Sequence, residues 1–193
     1  MSKPKDEQKI ESIRTACIRI VLQTGFNGLR MADVAKEAGI ATGTLYIYYP
    51  DKQSLVIDAF QRTKQEISEA LFRFTPAGND FTSVFRGWWF NYFHFAISNP
   101  EKILFAEQFL YSGLIPSAVV EETDRLFLPL DVFLVNAREA GLILRLDTEI
   151  IKAQLTAPVH TLLKVKEKNP ELLDHQSVEG IFQMAWQSIQ PQK

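Results

Sequence analysis

The chain has 193 residues, enough for one domain or two small ones with a buried core, and 46% of them are hydrophobic and 23% charged. This composition is ordinary for a soluble globular protein and excludes fibrous and disordered classes. The single cysteine, Cys17, excludes an internal disulfide and any metal site built from several cysteines.

The net charge of −2 is unevenly distributed along the chain. Residues 1–75 carry 11 Lys/Arg and 9 Asp/Glu, whereas residues 76–193 carry 10 Lys/Arg and 14 Asp/Glu. The first part is therefore slightly positive and the second negative, which is the sign expected of an N-terminal segment that contacts a polyanion and is joined to an acidic body. So modest an excess predicts few phosphate contacts per subunit, so that affinity must come from dimerisation and well-positioned contacts.

No segment has the pattern of a targeting or membrane-spanning sequence. Residues 1–12 lack the apolar core of a signal peptide. The longest apolar stretch, residues 88–97, is interrupted by Asn91 and His94 and is too short to cross a bilayer. We therefore expect a protein of the reducing cytoplasm with no membrane partner.

Four helices are predicted in the first part of the chain from apolar residues at helical spacing, at residues 5–24, 31–38, 42–49 and 51–74. Gly25 ends the first helix, and Gly39 separates the second from the third because glycine adopts the left-handed conformation at little cost. Pro50 ends the third helix, and Asp51 is positioned to cap the fourth.

Residues 31–52 have the pattern of a helix-turn-helix motif, in which the second short helix lies in the DNA major groove. Leu45 and Tyr49 lie one turn apart and fill the inward face of this short helix, so Tyr46 and Tyr48 should point outward. Helix-glycine-helix corners also occur in helical bundles that do not bind DNA. The pattern alone therefore leaves both interpretations open.

Every segment after residue 80 is also predicted to be helical. The predicted helices are residues 81–98, 100–112, 116–140, 147–169 and 174–190. Pro158 removes one backbone hydrogen bond inside the fourth of these and should bend it. The fold class is all-α, with an N-terminal three-helix head followed by a six-helix bundle. The predicted domains are residues 1–50, a connecting helix at 51–75, and residues 76–193, with the boundary at the loop 75–79.

Residues 25–56, GFNGLRMADVAKEAGIATGTLYIYYPDKQSLV, resemble the DNA-binding domain of the TetR family of bacterial regulators. That family has an aromatic residue after a glycine, then a Val-Ala-x-x-Ala-Gly segment. A small-Gly-x-Leu-Tyr-x-Tyr segment and a lysine follow. The match is dense and free of gaps. It implies a dimeric transcriptional regulator that binds a palindromic operator in double-stranded DNA.

The residues predicted to read bases are at the start of the third helix, where side chains can reach the groove floor. Thr42, Thr44 and Ile47 occupy these positions, and Gly43 allows a close approach of the backbone. Threonine can hydrogen-bond a base edge or contact a thymine methyl group, whereas isoleucine can only make the apolar contact. The helix has no Arg, Asn or Gln for a bidentate contact, so we expect modest discrimination at each base position.

The resemblance implies that Tyr46, Tyr48 and Lys52 contact phosphates. Two positions differ from the family pattern. Arg30 follows Leu29 where the family has a pair of threonines, and Arg30 cannot cap a helix but can contact phosphate. Ala41 stands where serine is usual, so Thr42 is expected to take over the capping of the third helix.

The second part of the chain has an excess of aromatic residues with a few polar ones among them, which is typical of a small-molecule pocket. The predicted ligand-binding residues are Trp88, Asn91, Tyr92, His94, Phe105, Gln108 and Phe109. The resemblance implies that an apolar or amphipathic effector binds there and spreads the two DNA-binding heads apart. No catalytic, metal or cofactor constellation is indicated, and a lone histidine on an apolar helix, such as His94, is more often a core residue than a ligand.

The last two predicted helices carry more apolar residues than one buried face requires, which indicates a homodimer interface. TetR-like proteins dimerise through these helices. The alternative is that the surplus covers the body core. Two functions therefore compete: an effector-responsive regulator, most simply a repressor, and an effector-independent architectural DNA-binding dimer. An enzyme acting in the aromatic pocket is a third and weaker alternative.

Overall fold

The computed structural model describes residues 4–73, 80–110 and 112–191, and within these ranges it contains α-helices and 3-10 turns but no strand. The predicted all-α class is confirmed. Phe74, predicted to be buried, and the predicted boundary loop 75–79 lie outside the described residues. No helix in the described part of the chain combines the length and apolarity needed to traverse a bilayer.

Ten α-helices follow one another along the described chain. They are α1 (Pro4–Gly28), α2 (Met31–Glu37), α3 (Thr42–Tyr48), α4 (Lys52–Leu71), α5 (Phe81–Ser98), α6 (Pro100–Leu110), α7 (Ser117–Asp124), α8 (Leu128–Glu139), α9 (Thr148–Lys168) and α10 (His175–Ile189). Two 3-10 turns lie between them, Arg125–Phe127 before α8 and Pro170–Leu172 before α10.

Two glycines shape the helix-turn-helix segment. Gly25 interrupts α1 with a φ of 70°, and Gly39 follows α2 with a φ of 68°. Residues with a Cβ rarely adopt this left-handed conformation, so both positions favour glycine. The turn at Gly39 directs α3 away from α2, as the sequence predicts.

Aspartate side chains cap several of the longer helices. Asp51 accepts a hydrogen bond of 2.7 Å from the Ser54 backbone N–H at the start of α4, and Asp147 accepts one of 2.9 Å from the Glu149 N–H before α9. Asp80 and Asp174 cap α5 and α10 in the same way. The predicted cap of α4 at Asp51 is therefore confirmed, and each of these bonds satisfies a backbone donor that the helix itself leaves free.

The predicted helix at residues 116–140 is not continuous in the structure. It is divided into α7 and α8 by the 3-10 turn Arg125–Phe127. Pro129 is the second residue of α8, and it has neither an N–H nor room for the carbonyl of Arg125 four residues before it. The α-helical hydrogen-bond pattern therefore cannot pass through this point. Pro158, by contrast, lies inside an uninterrupted α9.

The chain forms two compact units that are discontinuous in sequence. The first consists of Met1–Gln65 and Glu101–Thr123, and the second of Glu66–Pro100 and Asp124–Lys193. Residues 101–123, which the sequence prediction assigned to the body, thus group with the helix-turn-helix segment.

The first unit has one apolar core formed by α1 to α4 together with α6. Its fully buried members include Ile13, Cys17, Val21, Val34, Leu45, Leu55, Phe60 and Phe105. Burial raises the pKa of the Cys17 thiol to about 12, so this cysteine behaves as a small apolar core residue. The core holds α3 through its single fully buried side chain, Leu45.

The second unit is organised around α5, which packs against α9 and α10. Phe85 and Trp89 on α5 contact Phe182 on α10, with ring centroids 6.0 and 5.5 Å apart. Arg86 on the same helix forms two hydrogen bonds of 2.6 Å to Glu179 and lies over the Phe182 ring. This bonding holds the pKa of Glu179 down at about 2.

Candidate nucleic-acid interface

Helix α3 has one buried and one exposed face. Leu45 and the following Tyr49 are buried, as predicted. On the opposite side, Tyr46 is 51% and Ile47 80% exposed. Both side chains are therefore accessible to a binding partner.

The start of α3 extends this exposed face. Thr42 and Gly43 are exposed, and Thr44 is half-buried. A Cβ placed on Gly43 would meet no atom within 4 Å, so the space in front of this backbone is open. Four of the six predicted α3 contact residues, Thr42, Gly43, Tyr46 and Ile47, are therefore exposed, whereas Thr44 and Tyr48 are half-buried.

Neither short helix of the motif is capped by a side chain in the described structure. Ala41 precedes α3 and has no acceptor, and Thr42 is the first residue of the helix rather than its cap. Arg30 precedes α2 in an extended conformation and makes no capping bond, as expected of a side chain without an acceptor. The side chain of Arg30 is exposed.

Tyr48 is half-buried at the edge of the α3 surface. Its hydroxyl donates a hydrogen bond of 3.2 Å to the carboxylate of Asp6 in the first turn of α1. Partial burial, together with the charge and the hydrogen bond of Asp6, raises the pKa of the Tyr48 hydroxyl. The sequence predicted the outward direction of Tyr48 but not this partner.

Lys52, at the start of α4, is half-buried and bound within the unit. Its ammonium donates a hydrogen bond of 3.0 Å to the Phe26 carbonyl and lies 4.5 Å from the centre of the Phe26 ring. The cation–π contact and the hydrogen bond fix the turn after α1 against α4. An ammonium has three donors, so this arrangement leaves donor capacity for a phosphate.

A hydrogen-bonded network beneath α3 was missed by the sequence reasoning. Asp58 on α4 accepts hydrogen bonds from the Arg14 guanidinium at 2.7 and 3.0 Å and from the Tyr49 hydroxyl at 2.5 Å. Burial alone would raise the pKa of Asp58, but the bonds from Arg14 and Tyr49 outweigh it and lower the pKa. The sequence signal that could have revealed this network is that each of the two charged residues adjoins a buried one, Arg14 next to Ile13 and Asp58 next to Ala59.

Four of the seven predicted ligand-binding residues lie on α5 in the second unit. Trp88 packs against Phe72 and Phe133, with ring centroids 4.9 Å away in both cases. The Asn91 amide donates a hydrogen bond of 3.0 Å to the Leu71 carbonyl, and the Tyr92 hydroxyl is 2.7 Å from Nε2 of His160. His94 is exposed.

The other three predicted ligand-binding residues lie on α6 in the first unit. Phe105 and Phe109 are fully buried in its core, with ring centroids 4.8 Å apart, and Gln108 is exposed. The predicted pocket residues are thus divided between the two units. Trp89, which the sequence reasoning did not select, is buried, and its indole N–H has no hydrogen-bond partner among the described residues.

Two open surface depressions are present, and neither is lined by a predicted ligand-binding residue. One of about 520 Å³ in the second unit is lined by Arg138, Glu139, Arg145, Leu146 and Asp147. The other, of about 580 Å³ in the first unit, is lined by polar and small residues of α1 and α2 that include Gln8, Glu11, Ser12, Thr15, Arg19 and Glu37.

Two short helices joined at a left-handed glycine, the second with an accessible outer face, form a helix-turn-helix motif. The family described as bacterial regulatory proteins, tetR family, matches residues 13–59, and the tetracyclin repressor-like C-terminal domain matches residues 81–190. Since the second match alone covers more than half of the chain, the protein belongs to the TetR family of transcriptional regulators.

Known relatives extend over nearly the whole chain. An uncharacterized HTH-type transcriptional regulator of Haemophilus influenzae is 26% identical over 185 residues, which cover 93% of this chain and 95% of the relative. A TetR family transcription regulator from Marinobacter aquaeolei has the same fold, with a TM-score of 0.89 and 23% identity over 97% of this chain and 98% of that one.

A second similar structure was solved with a ligand. The transcriptional regulator FadR from Bacillus subtilis, in complex with stearoyl-CoA, has a TM-score of 0.68 and 16% identity, covering 91% of this chain and 96% of that one. At this identity the likeness establishes a shared fold and no more.

Proposed function

We propose that the protein is a homodimeric repressor that binds a palindromic operator and is released from it by an apolar or amphipathic effector. The observation that carries the DNA-binding part is the exposed face of α3, where Tyr46 and Ile47 project beside the open backbone of Gly43. In this role Thr42, Thr44 and Ile47 contact bases. Arg30, Tyr46, Tyr48 and Lys52 contact phosphates and fix the register.

The proposed dimer forms through α9 and α10. Ile150 on α9 is 54% exposed and Met184 on α10 is 64% exposed, although both helices also bury an apolar face. Small residues accompany them at exposed positions, namely Ala153 and Ala157 on α9 and Gly180 on α10. Small side chains allow helices to approach closely, which suits packing of these two helices against their copies in a partner.

The proposed effector is an apolar or amphipathic molecule that contacts the aromatic side chains of α5. FadR of Bacillus subtilis, solved with stearoyl-CoA, is an example of a protein of this fold that holds a ligand with a long alkyl chain. By linkage, an effector that prefers the form unable to span two successive major grooves weakens DNA binding by its differential affinity, typically about 1–3 kcal/mol.

The test is a selection of bound fragments from random or genomic DNA with the purified protein, followed by a release assay on the enriched fragment. We expect an inverted repeat to be enriched and a long-chain acyl-CoA or another apolar compound to lower its retention. Enrichment of a repeat that no apolar compound affects would reject the effector while leaving the DNA-binding function in place.

A second candidate is an effector-independent architectural DNA-binding dimer. It is favoured by the internal hydrogen bonds of the polar residues on α5, since Asn91 bonds to the Leu71 carbonyl and Tyr92 to His160. Polar groups that are satisfied within the protein do not need a ligand. This candidate predicts that ligand screens by thermal shift find no stabilising compound.

A further inference from the structure

The Tyr48 hydroxyl, an expected phosphate contact, is engaged by a carboxylate of its own chain. The hydroxyl donates to Oδ1 of Asp6 over 3.2 Å, linking the edge of the α3 surface to the first turn of α1. Both residues belong to the first unit, and both are half-buried. The carboxylate of Asp6 therefore accepts from the Tyr48 hydroxyl, which is the donor that a DNA phosphate would use.

A phenol has a single O–H donor, so the Tyr48 hydroxyl cannot donate to a carboxylate and to a phosphate at once. Partial burial and the nearby charge of Asp6 raise the pKa of this hydroxyl, which keeps it protonated and hence a donor. Because the hydroxyl stays protonated, the carboxylate and the phosphate compete for its single hydrogen atom. When DNA binds, the hydrogen bond must be exchanged from the carboxylate to the phosphate.

We propose that Asp6 is an intramolecular competitor of the DNA backbone, which occupies the Tyr48 hydroxyl in the free protein and weakens DNA binding at all sequences alike. This inference rests on the proposed phosphate contact of Tyr48. The cost has two parts, the hydrogen bond that must be exchanged and the repulsion between the carboxylate and the approaching phosphate. Both parts are independent of base sequence because phosphate contacts carry no sequence information.

The chain supplies a closely matched control in Glu7. Asp6 and Glu7 are adjacent in the first turn of α1, where both negative charges favour the positive end of the helix. Glu7 is exposed, and no hydrogen bond or ion pair of its side chain is recorded in the described structure. Glu7→Gln therefore removes the same charge from the same helix turn without touching Tyr48.

The experiment measures binding of the full-length protein to a mixed-sequence duplex of about 30–40 base pairs, long enough for two successive major-groove sites. Wild type, Asp6→Asn, Glu7→Gln, Tyr48→Phe and the double variant Asp6→Asn/Tyr48→Phe are compared by fluorescence anisotropy over a series of salt concentrations. Thermal unfolding of each variant verifies that it is folded. The operator need not be known.

Asparagine keeps an acceptor oxygen but not the charge, so the hydrogen bond that must be exchanged is weaker, and Asp6→Asn should bind about three- to tenfold more tightly than Glu7→Gln. In the Tyr48→Phe background the gain from Asp6→Asn should shrink to that of Glu7→Gln, the part due to charge repulsion alone. Equal affinities of Asp6→Asn and Glu7→Gln would overturn the proposal, as would an Asp6→Asn gain that is undiminished without the Tyr48 hydroxyl. Failure of the wild-type protein to bind any duplex would instead reject the proposed function itself.

Discussion

Asp58 on α4 links the end of α3 to α1, because its carboxylate accepts hydrogen bonds from Arg14 on α1 and from Tyr49, the residue after α3. We predict that Asp58→Asn lowers the free energy of unfolding by about 1–3 kcal/mol at neutral pH, the range for losing hydrogen bonds to a charged, partly buried group. Chemical denaturation of this variant and of Asp33→Asn, an exposed aspartate on α2, measures the difference. A loss no larger than that of Asp33→Asn would contradict the role of the network.

The same network gives a pH dependence whose sign follows from the lowered pKa of Asp58. A carboxylate with a lower pKa in the folded state stabilises the fold at pH values above about 4, the ordinary pKa of aspartate. This contribution is lost as the pH falls through the lowered value. The difference in unfolding free energy between wild type and Asp58→Asn should therefore be constant near neutrality and shrink under acid conditions. A difference that grows on acidification would contradict the assignment.

Lys52 combines a structural contact with an expected phosphate contact, and the two can be separated. Lys52→Met keeps an unbranched side chain over the Phe26 ring but removes the charge. We predict weaker binding to all duplexes alike and a salt slope, log Kd against log salt, reduced by about one. Lys168→Met, at the end of α9, is the control and should leave the slope unchanged. An unchanged slope for Lys52→Met would remove Lys52 from the DNA contacts.

The two faces of α3 predict opposite effects of substitution. Ile47→Ala should change the unfolding free energy by no more than about 0.5 kcal/mol because the side chain is exposed. Leu45→Ala should cost about 2–5 kcal/mol because the side chain is fully buried.

Ile47→Ala and Thr44→Ala should each alter the preference at one base step, as read from selected fragments. Unaltered base preferences in both would show that this face does not read DNA.

The elements also show which parts of the fold are predictable from sequence. The end of α2, the end of α3 and the start of α4 follow local signals, namely the glycine at 39, the proline at 50 and the aspartate cap at 51. The division of residues 116–140 into α7 and α8 was missed, although Pro129 was visible in the sequence. A proline inside a predicted helix can mark a break, as Pro129 does, or be tolerated, as Pro158 is, and hydrophobic spacing does not distinguish the two.

The contacts of Tyr48 with Asp6 and of Lys52 with Phe26 join residues 42 and 26 positions apart, and no local pattern encodes them. The same holds for the placement of Phe105 and Phe109. Their helical spacing indicates burial but not the core that receives them, which is that of the first unit. Periodicity predicts which face is buried, whereas the partner depends on how distant segments pack.

At the scale of the whole molecule, the proposed dimer can be tested by a charge on its proposed interface. Met184→Glu should give monomers in analytical ultracentrifugation while retaining the wild-type helix content, because an unpaired carboxylate is costly in an apolar interface. The matched control is Leu172→Glu, since Leu172 lies outside both helices and, like Ile150, is 54% exposed. If Met184→Glu remained dimeric, the interface would lie elsewhere.

The most direct test of the central claim, that α3 presents its outer face to duplex DNA twice from a paired molecule, is a footprint of the protein on fragments selected from genomic DNA. Two protected major-groove patches of inverted sequence, separated by about 34–36 Å or a multiple of this distance, are predicted. The protection should be lost in Met184→Glu at concentrations where that variant is monomeric. A single protected patch, or protection of the minor groove alone, would contradict the account.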